Sequence, residues 1–165
     1  MSHIGGRANL LLPAFSMNPR GHRVTPATSK ILVVDDDDAI LRLIQTALRR
    51  SGYQVVVARD GNEAIRCLKD EAFDLVLTDV VMPEKEGIQL MTELKRTAPH
   101  QKIVAMSGGG DFGAGSYLHY ARKLGACATL SKPFSIELLL SVLRDALKAE
   151  APSEPRGRKS SRLLD

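Results

Sequence analysis

The chain has 165 residues, of which 44% are hydrophobic and 25% are charged; these proportions exclude a fibrous protein and a wholly disordered chain, and fit one globular domain with a buried core. Four basic and no acidic residues precede Ile31, and four basic and two acidic residues follow Glu150, so the ends carry +6. Residues 31–150 hold 15 basic and 17 acidic side chains, so this central part carries −2 and makes nucleic acid an unexpected partner.

Residues 1–29 lack a sustained hydrophobic period, and we expect a disordered N-terminal arm. The apolar run Leu10–Phe15 follows Arg7 but is too short for a membrane span or a signal peptide, and no small-residue cleavage site follows it. We therefore expect a cytoplasmic protein without a membrane segment. Met17 is an alternative start to Met1.

The two cysteines, Cys67 and Cys127, have no CxxC or Cys/His spacing. We therefore expect reduced thiols rather than a disulfide or a metal site. Reduced thiols also agree with a cytoplasmic location.

The ordered part of the chain begins with a strand that leads into an acidic run. Ile31–Val34 is β-branched and aliphatic throughout, which predicts a strand buried on both faces. The run Asp35–Asp38 follows it directly. Ala39–Arg50 then has apolar residues at helical spacing, with an aspartate available as N-cap and Gly52 just past its end.

The alternation of strand and helix continues to residue 149. Further strands are predicted over Gln54–Ala58, Leu75–Asp79, Ile103–Met106 and Ala126–Leu130, and further helices over Gly61–Glu71, Gly87–Thr97, Ser116–Leu124 and from the N-cap Ser135 to Ala149. Five such units with short connections predict an α/β fold: a doubly wound five-stranded parallel sheet with helices on both faces, as in flavodoxin-like proteins.

Polar residues stand at the carboxyl ends of four predicted strands, and these ends meet at one edge of a parallel sheet. They are Asp35 and Asp36 after the first strand, Asp79 at the end of the third, Ser107 after the fourth and Lys132 after the fifth. Each has an ordinary explanation alone, as a solvated acidic loop or a turn residue. Clustered carboxylates repel one another unless a cation compensates them, and Mg²⁺ prefers such oxygen ligands together with phosphate.

A phosphate at this edge would give each residue a role. Asp79 can attack phosphorus as a carboxylate nucleophile and form an acyl phosphate. Lys132 supplies a compact positive charge, and the Ser107 hydroxyl can donate a hydrogen bond to phosphate oxygens. The residues therefore indicate phosphoryl transfer to Asp79.

The segments ILVVDDD, DLVLTDVVMP, IVAMSG and LSKPF, in this order and spacing, closely resemble the receiver domain of two-component response regulators over about Lys30–Ala149. The resemblance implies a phosphoacceptor at Asp79 that takes its phosphoryl group from a sensor histidine kinase or a histidine phosphotransfer protein. It also implies Mg²⁺ as cofactor, held by Asp36, Asp79 and the backbone carbonyl of Val81, with Asp35 close by or acting through a water molecule.

The resemblance further implies that Ser107 and Lys132 bind the phosphoryl group and that the Lys132–Pro133 peptide bond is cis. We expect a stand-alone receiver over residues 30–149 and a disordered basic tail over 150–165. Such a protein is not an enzyme in the ordinary sense, because it catalyses only its own phosphorylation and dephosphorylation. It signals by protein contact or passes the phosphoryl group onward.

One position departs from the receiver pattern. Receivers usually carry Tyr or Phe three residues before the lysine, and this chain has Thr129 there. The aromatic half of the usual conformational switch is therefore missing. We expect Ser107 and the loop that begins with Gly108, Gly109 and Gly110 to carry more of the change.

Three other interpretations fit parts of the sequence. The glycines at 108, 110 and 113 match G-x-G-x-x-G, but a dinucleotide site needs an acidic residue about twenty residues further on, where Leu130–Pro133 stand. A haloacid dehalogenase-type phosphohydrolase needs an acid at Val81 and a cap domain, and a pseudo-receiver would bind partners without phosphorylation.

The last helix has an inner apolar stripe, and the pair Leu138 and Val142 lies off it on the outer face; the stripe consists of Ile136, Leu139, Leu140, Leu143 and Leu147. Such an outward pair is more often ordinary surface than a docking site. The resemblance implies a partner surface there, including a possible dimer, because receivers commonly use that side of the fold.

Overall fold

The computed structural model describes residues 16–17, 23–24, 29–83, 86–108 and 114–149. In these ranges one parallel sheet contains β1 (Lys30–Val34), β2 (Gln54–Ala58), β3 (Leu75–Asp79), β4 (Ile103–Ser107) and β5 (Ala128–Ser131). The helices are α1 (Asp38–Arg50), α2 (Gly61–Asp70), α3 (Glu86–Thr97), α4 (Ala114–Lys123) and α5 (Ile136–Lys148). The strand order β2-β1-β3-β4-β5 confirms the predicted doubly wound fold.

The central strand β1 pairs with both β2 and β3. Its residue Ile31 lies opposite Val55 on one side and Leu75 on the other. The strand order reverses between β1 and β3, and the crevice at such a reversal is where open α/β sheets bind ligands. The ends of these two strands carry the predicted carboxylates.

Two layers of apolar side chains cover the two faces of the sheet. Successive residues of a strand point to opposite faces, so Ile31 and Val33 pack with α1 and α5, whereas Leu32 and Val34 pack with α2, α3 and α4. Within β1 the residues Ile31–Val34 are fully buried, two on each face. This explains the uninterrupted apolar sequence of the strand.

The acidic run is divided between a helix cap and the sheet edge. Asp37 is the N-cap of α1, and its Oδ1 accepts hydrogen bonds from the backbone N–H groups of Ala39 at 2.7 Å and Ile40 at 3.3 Å. The prediction that an aspartate caps this helix is confirmed. Asp35 and Asp36 precede the cap and remain at the end of β1.

Most predicted boundaries agree with the structure within one or two residues, and two of the differences, at β4 and β5, have a clear cause. Ser107 is the last residue of β4 rather than a residue beyond it, because the pairing with β5 extends to Ser131. The fifth strand begins at Ala128 instead of Ala126, because Gly125 adopts a φ of 102° and the Ala126 N–H still bonds to the Ala121 carbonyl of α4.

The N-terminal part contains one feature that the sequence did not predict. Ser16–Met17 and Arg23–Val24 form a short antiparallel ribbon, in which Ser16 pairs with Val24. The expected disorder of the rest of the arm, and of the tail over 150–165, lies outside the described residues. No helix in the described ranges is long and apolar enough to cross a membrane.

Candidate functional site

Three carboxylates meet at the carboxyl edge of the sheet. Asp35, Asp36 and Asp79 each offer an oxygen, and these oxygens all lie within 4.8 Å of one another. Asp35 is 1% exposed and Asp79 is 5% exposed, whereas Asp36 is exposed to solvent. The cluster therefore has a buried side and an open side, from which an ion or a phosphate can enter.

The Lys132 ammonium group links the two buried carboxylates. Its Nζ lies 2.6 Å from Asp35 Oδ2 and 2.5 Å from Asp79 Oδ2. The lysine directly follows β5, and the Lys132–Pro133 peptide bond is cis, as predicted. The structure thus brings together side chains that are 97 and 53 residues apart in the sequence.

Backbone N–H groups hold the remaining oxygens of these two carboxylates. Asp35 Oδ1 accepts from the Asp37 N–H at 3.0 Å, and Asp79 Oδ1 accepts from the Val81 N–H at 2.8 Å. Each buried carboxylate therefore has one oxygen fixed by the backbone and the other on Lys132. The backbone bonds orient both groups independently of the lysine.

Burial and charge act in opposite directions on the pKa of Asp35 and on the pKa of Lys132. Burial raises the pKa of Asp35, and the hydrogen bond from Lys132 only partly offsets this effect. For Lys132, burial alone would lower the pKa, but the hydrogen bonds to Asp35 and Asp79 outweigh it and the net shift is upward. The lysine is therefore held as a cation.

Gly87 packs against the backbone at the end of β3, a contact that the sequence analysis missed. A Cβ at this position would lie 2.2 Å from the Asp79 carbonyl oxygen and 2.8 Å from the Val80 carbonyl oxygen. No other residue fits without moving the backbone. The sequence signal was only a glycine near the start of a predicted helix.

Ser107 and Gly108 lie beside Lys132. Ser107 is fully buried, and its backbone carbonyl accepts from the Lys132 N–H at 2.8 Å. A Cβ at Gly108 would contact the Lys132 side chain at 3.6 Å. Gly109 and Gly110 of the predicted loop, and Gly113 of the glycine motif, lie outside the described residues.

Thr129 lies on β5 opposite Ala105 and is half-buried. Its Oγ1 accepts a hydrogen bond from Arg122 Nη2 of α4 at 3.0 Å. The threonine therefore joins β5 to α4. It stands three residues before Lys132, at the position where an aromatic ring was expected.

The apolar pair predicted on the outer face of α5 is exposed at only one of its two positions. Leu138 is exposed, but Val142 is partly buried against the α1/α5 core layer, so the predicted outward pair is wrong for Val142. A cavity of about 370 Å³ instead adjoins Lys132, and Ile40, Leu43 and Phe134 line part of it. Leu43 is 60% exposed.

The comparison with protein families gives one description for this arrangement. Residues 31–144 match the response regulator receiver domain. The transcriptional regulatory protein GlrR of Escherichia coli K12 is 33% identical over 123 residues, covering 74% of this chain and 27% of GlrR. CpxR of Klebsiella pneumoniae is 36% identical over 126 residues, covering 76% of this chain and 52% of CpxR. The chain thus spans at most about half the length of these relatives.

Solved structures of receiver domains superpose on this chain. A receiver domain protein described as CheY-like from Methanospirillum hungatei superposes with a TM-score of 0.67 at 29% identity, covering 73% of this chain and 94% of that one. The receiver domain of NtrX from Brucella abortus gives a TM-score of 0.67 at 30% identity, covering 73% and 99% of the two chains.

The doubly wound sheet and the acidic cluster at its carboxyl edge agree with the class of signalling domains that these comparisons identify. The chain belongs to the response regulator receiver domain family of two-component systems. Phosphorylation and Mg²⁺ binding in an acidic pocket are general features of this family, and the curated relatives are regulators.

Proposed function

We propose that Asp79 is the phosphoacceptor of this receiver and takes its phosphoryl group from the phosphohistidine of a sensor kinase or a phosphotransfer protein. The observation that carries the proposal is the division of the Asp79 carboxylate oxygens. The backbone N–H of Val81 fixes Oδ1, and Lys132 holds Oδ2 ready for exchange with a phosphate oxygen. No comparable pair of buried carboxylates on one lysine occurs elsewhere in the described ranges.

In the proposed reaction an Asp79 oxygen attacks phosphorus and forms a P–O bond, while the P–N bond to the donor histidine breaks and its electron pair returns to the imidazole. Lys132 exchanges its contact with Asp79 for one with the transferred group. Its flexible stem and rotatable donors suit a phosphate that arrives and leaves. The Ser107 hydroxyl would donate a hydrogen bond to the same oxygens.

The acidic cluster fits Mg²⁺, because its donors are hard carboxylate oxygens and one of them, on Asp36, faces solvent. Asp36, Asp79 and the Val81 backbone carbonyl would hold the ion, with Asp35 beside them. When bound, Mg²⁺ would offset negative charge on the phosphoryl group.

The cavity beside Lys132 supports an approach route for the donor protein. Its lining is mainly apolar, and Leu43 projects at its rim. A phosphohistidine carried on a helical surface could bury apolar side chains here while its imidazole faces Asp79. The receiver, over residues 30–149 in the cytoplasm, would then signal by protein contact or transfer the phosphoryl group onward, and would not act as a classical enzyme.

The test is uptake of phosphoryl groups from acetyl phosphate, and of beryllium fluoride, in the presence of Mg²⁺. Intact mass should show one added phosphoryl group on the wild-type chain and none on Asp79→Asn. Asp70→Asn is the matched control, because Asp70 is exposed at the end of α2. Equal uptake by Asp79→Asn would refute the assignment.

The same assay separates the two alternatives. Repeated turnover of a phosphate ester would indicate a phosphohydrolase, and complete lack of an acyl phosphate would indicate a pseudo-receiver. The comparisons favour neither of them.

A further inference from the structure

A groove between α2 and α3 lies at the amino-terminal edge of the sheet, opposite the edge that carries Asp79. Its volume is about 410 Å³. The apolar part of its lining comes from Ile65, Leu68, Phe73, Leu94 and Ala98. A dry apolar cavity of about 150 Å³ accepts a benzene ring, so this groove has room for at least two apolar side chains.

The chain enters the sheet directly beside this groove. Lys30 forms an ion pair with Glu71, and its Nζ lies 5.4 Å from the centre of the Phe73 ring. Glu71 and Phe73 both line the groove. The Ser29 carbonyl accepts from the Gln54 N–H at 3.1 Å, which fixes the start of β1, and the Lys30 side chain reaches the groove residue Glu71 from there.

The N-terminal ribbon keeps the preceding chain near this point. Val24 is five residues before Ser29, and a chain spans at most about 3.6 Å per residue, which places Val24 within roughly 18 Å of Ser29. Ser16 pairs with Val24 across the ribbon, and paired strands lie about 5 Å apart. Ser16 therefore lies within roughly 25 Å of Ser29, the residue before Lys30.

The apolar run Leu10–Phe15 ends immediately before Ser16. We propose that this segment docks into the α2–α3 groove of its own chain. The short tether gives the segment an effective concentration in the millimolar range. Pro13 removes one backbone donor, which suits a segment held by side-chain burial rather than by pairing with a strand.

The C-terminal tail is the other candidate occupant within the chain. Its large apolar side chains are the single pair Leu163 and Leu164, which follows four basic residues. The end of α5 is tied to the sheet by Lys102, whose Nζ donates to the Leu147 carbonyl at 2.6 Å. The N-terminal run offers four large apolar side chains, those of Leu10, Leu11, Leu12 and Phe15, and it precedes Lys30, which pairs with the groove residue Glu71, so it fits the groove better.

Methyl NMR of the full-length chain tests the proposal. Replacement of Leu10, Leu11 and Leu12 by Ser should shift the methyl resonances of Ile65, Leu68 and Leu94, because their apolar neighbours are lost. A chain that starts at Met17 should show the same shifts of these three residues as the serine variant. Leu163→Ser/Leu164→Ser is the matched control and should leave these resonances unchanged.

A peptide of residues 8–16 should return the resonances of the Met17 chain towards their full-length positions. Ala72→Trp, at an exposed position on the groove wall, should weaken peptide binding at least tenfold by filling the groove. The proposal is overturned if the serine variant leaves the groove resonances in place, or if only the tail variant shifts them. It is also overturned if the shifts depend on protein concentration, which would indicate a second copy as the occupant.

Beryllium fluoride uptake at Asp79 is measured in the same samples. It should be equal in every variant, because the groove lies at the opposite edge of the sheet. Failure of uptake would therefore contradict the phosphoacceptor assignment without affecting the docking proposal.

Discussion

The two buried carboxylates depend on a single cation. Lys132 contacts one oxygen of Asp35 and one of Asp79, and the backbone holds the other oxygens. Loss of the lysine would leave two nearby negative charges without compensation, while the backbone bonds would keep them in place. Under the proposed function, we expect a bound Mg²⁺ to supply part of the compensation that Lys132 gives these carboxylates.

We expect Lys132→Met to lower the free energy of unfolding by roughly 2–4 kcal/mol in the absence of Mg²⁺, because removal of one partner leaves buried charge unpaired. Mg²⁺ should restore part of this loss. Urea denaturation with and without Mg²⁺ measures both effects, and Lys123→Met at an exposed position serves as control. An equal loss under both conditions would show that Mg²⁺ does not replace the lysine charge.

We expect Thr129→Tyr to leave phosphoryl uptake from acetyl phosphate within about twofold of wild type, because the described hydrogen bond of Thr129 is to Arg122 and not to the carboxylates. Since the variant loses this bond, the free energy of unfolding should fall by about 0.5–1.5 kcal/mol. Arg122→Ala removes the same bond and should match it. A tenfold loss of uptake would place Thr129 in the reacting site.

The sequence predicted which residues meet but not how they are held. Asp35, Asp36, Asp79 and Lys132 follow from the rule that parallel strands end at one edge. The division of the carboxylate oxygens depends on backbone positions, which residue types do not encode.

The burial of Val142 was missed because the predicted stripe of α5 left it outside, whereas the α1/α5 layer covers more of the helix.

At the level of elements, the contact between α3 and β3 governs the site. Gly87 lets the first turn of α3 approach the carbonyl oxygens of Asp79 and Val80. Secondary-structure patterns predicted both elements within one residue of their observed ends. They could not predict the approach, because the distance between two backbones depends on tertiary packing.

We expect Gly87→Ala to lower the free energy of unfolding by about 1–3 kcal/mol through overpacking. The sign of this change in the free energy of unfolding identifies overpacking, because Gly→Ala inside a helix otherwise stabilises by up to about 1 kcal/mol. Urea denaturation gives the value, with Gln89→Ala at an exposed position of α3 as the comparison. A stabilised Gly87→Ala variant would mean that α3 moves away from β3 without cost.

At the level of the whole molecule, folding assembles an acidic pocket at an energetic cost. Burial raises the pKa of Asp35 above its ordinary value of 3.8. The folded state therefore binds a proton that the unfolded state has released, and its stability falls as the pH rises from 3.8 through the folded pKa. A bound divalent cation should remove this penalty.

We expect Mg²⁺ at ten times its dissociation constant to raise the free energy of unfolding by about 1.4 kcal/mol at neutral pH. The increase should shrink in acid, where protonated Asp35 no longer favours the ion. Thermal unfolding over a range of pH and Mg²⁺ concentrations measures both trends. Asp36→Asn should reduce the increase, whereas Asp38→Asn should not, because Asp38 pairs with Arg59 at 2.9 Å. Equal increases in both variants would argue against Asp36 as a ligand.

The separation of 53 residues between Asp79 and Lys132 also has a consequence for protein synthesis. A ribosome that adds about 5–20 residues per second makes the aspartate roughly 3–10 seconds before the lysine. During that interval a nascent chain has its acids without their ammonium partner, and β5 does not yet exist to cover the edge of β4. If Asp79 is the phosphoacceptor as proposed, we expect newly made chains to accept no phosphoryl group until translation of the fifth βα unit has begun.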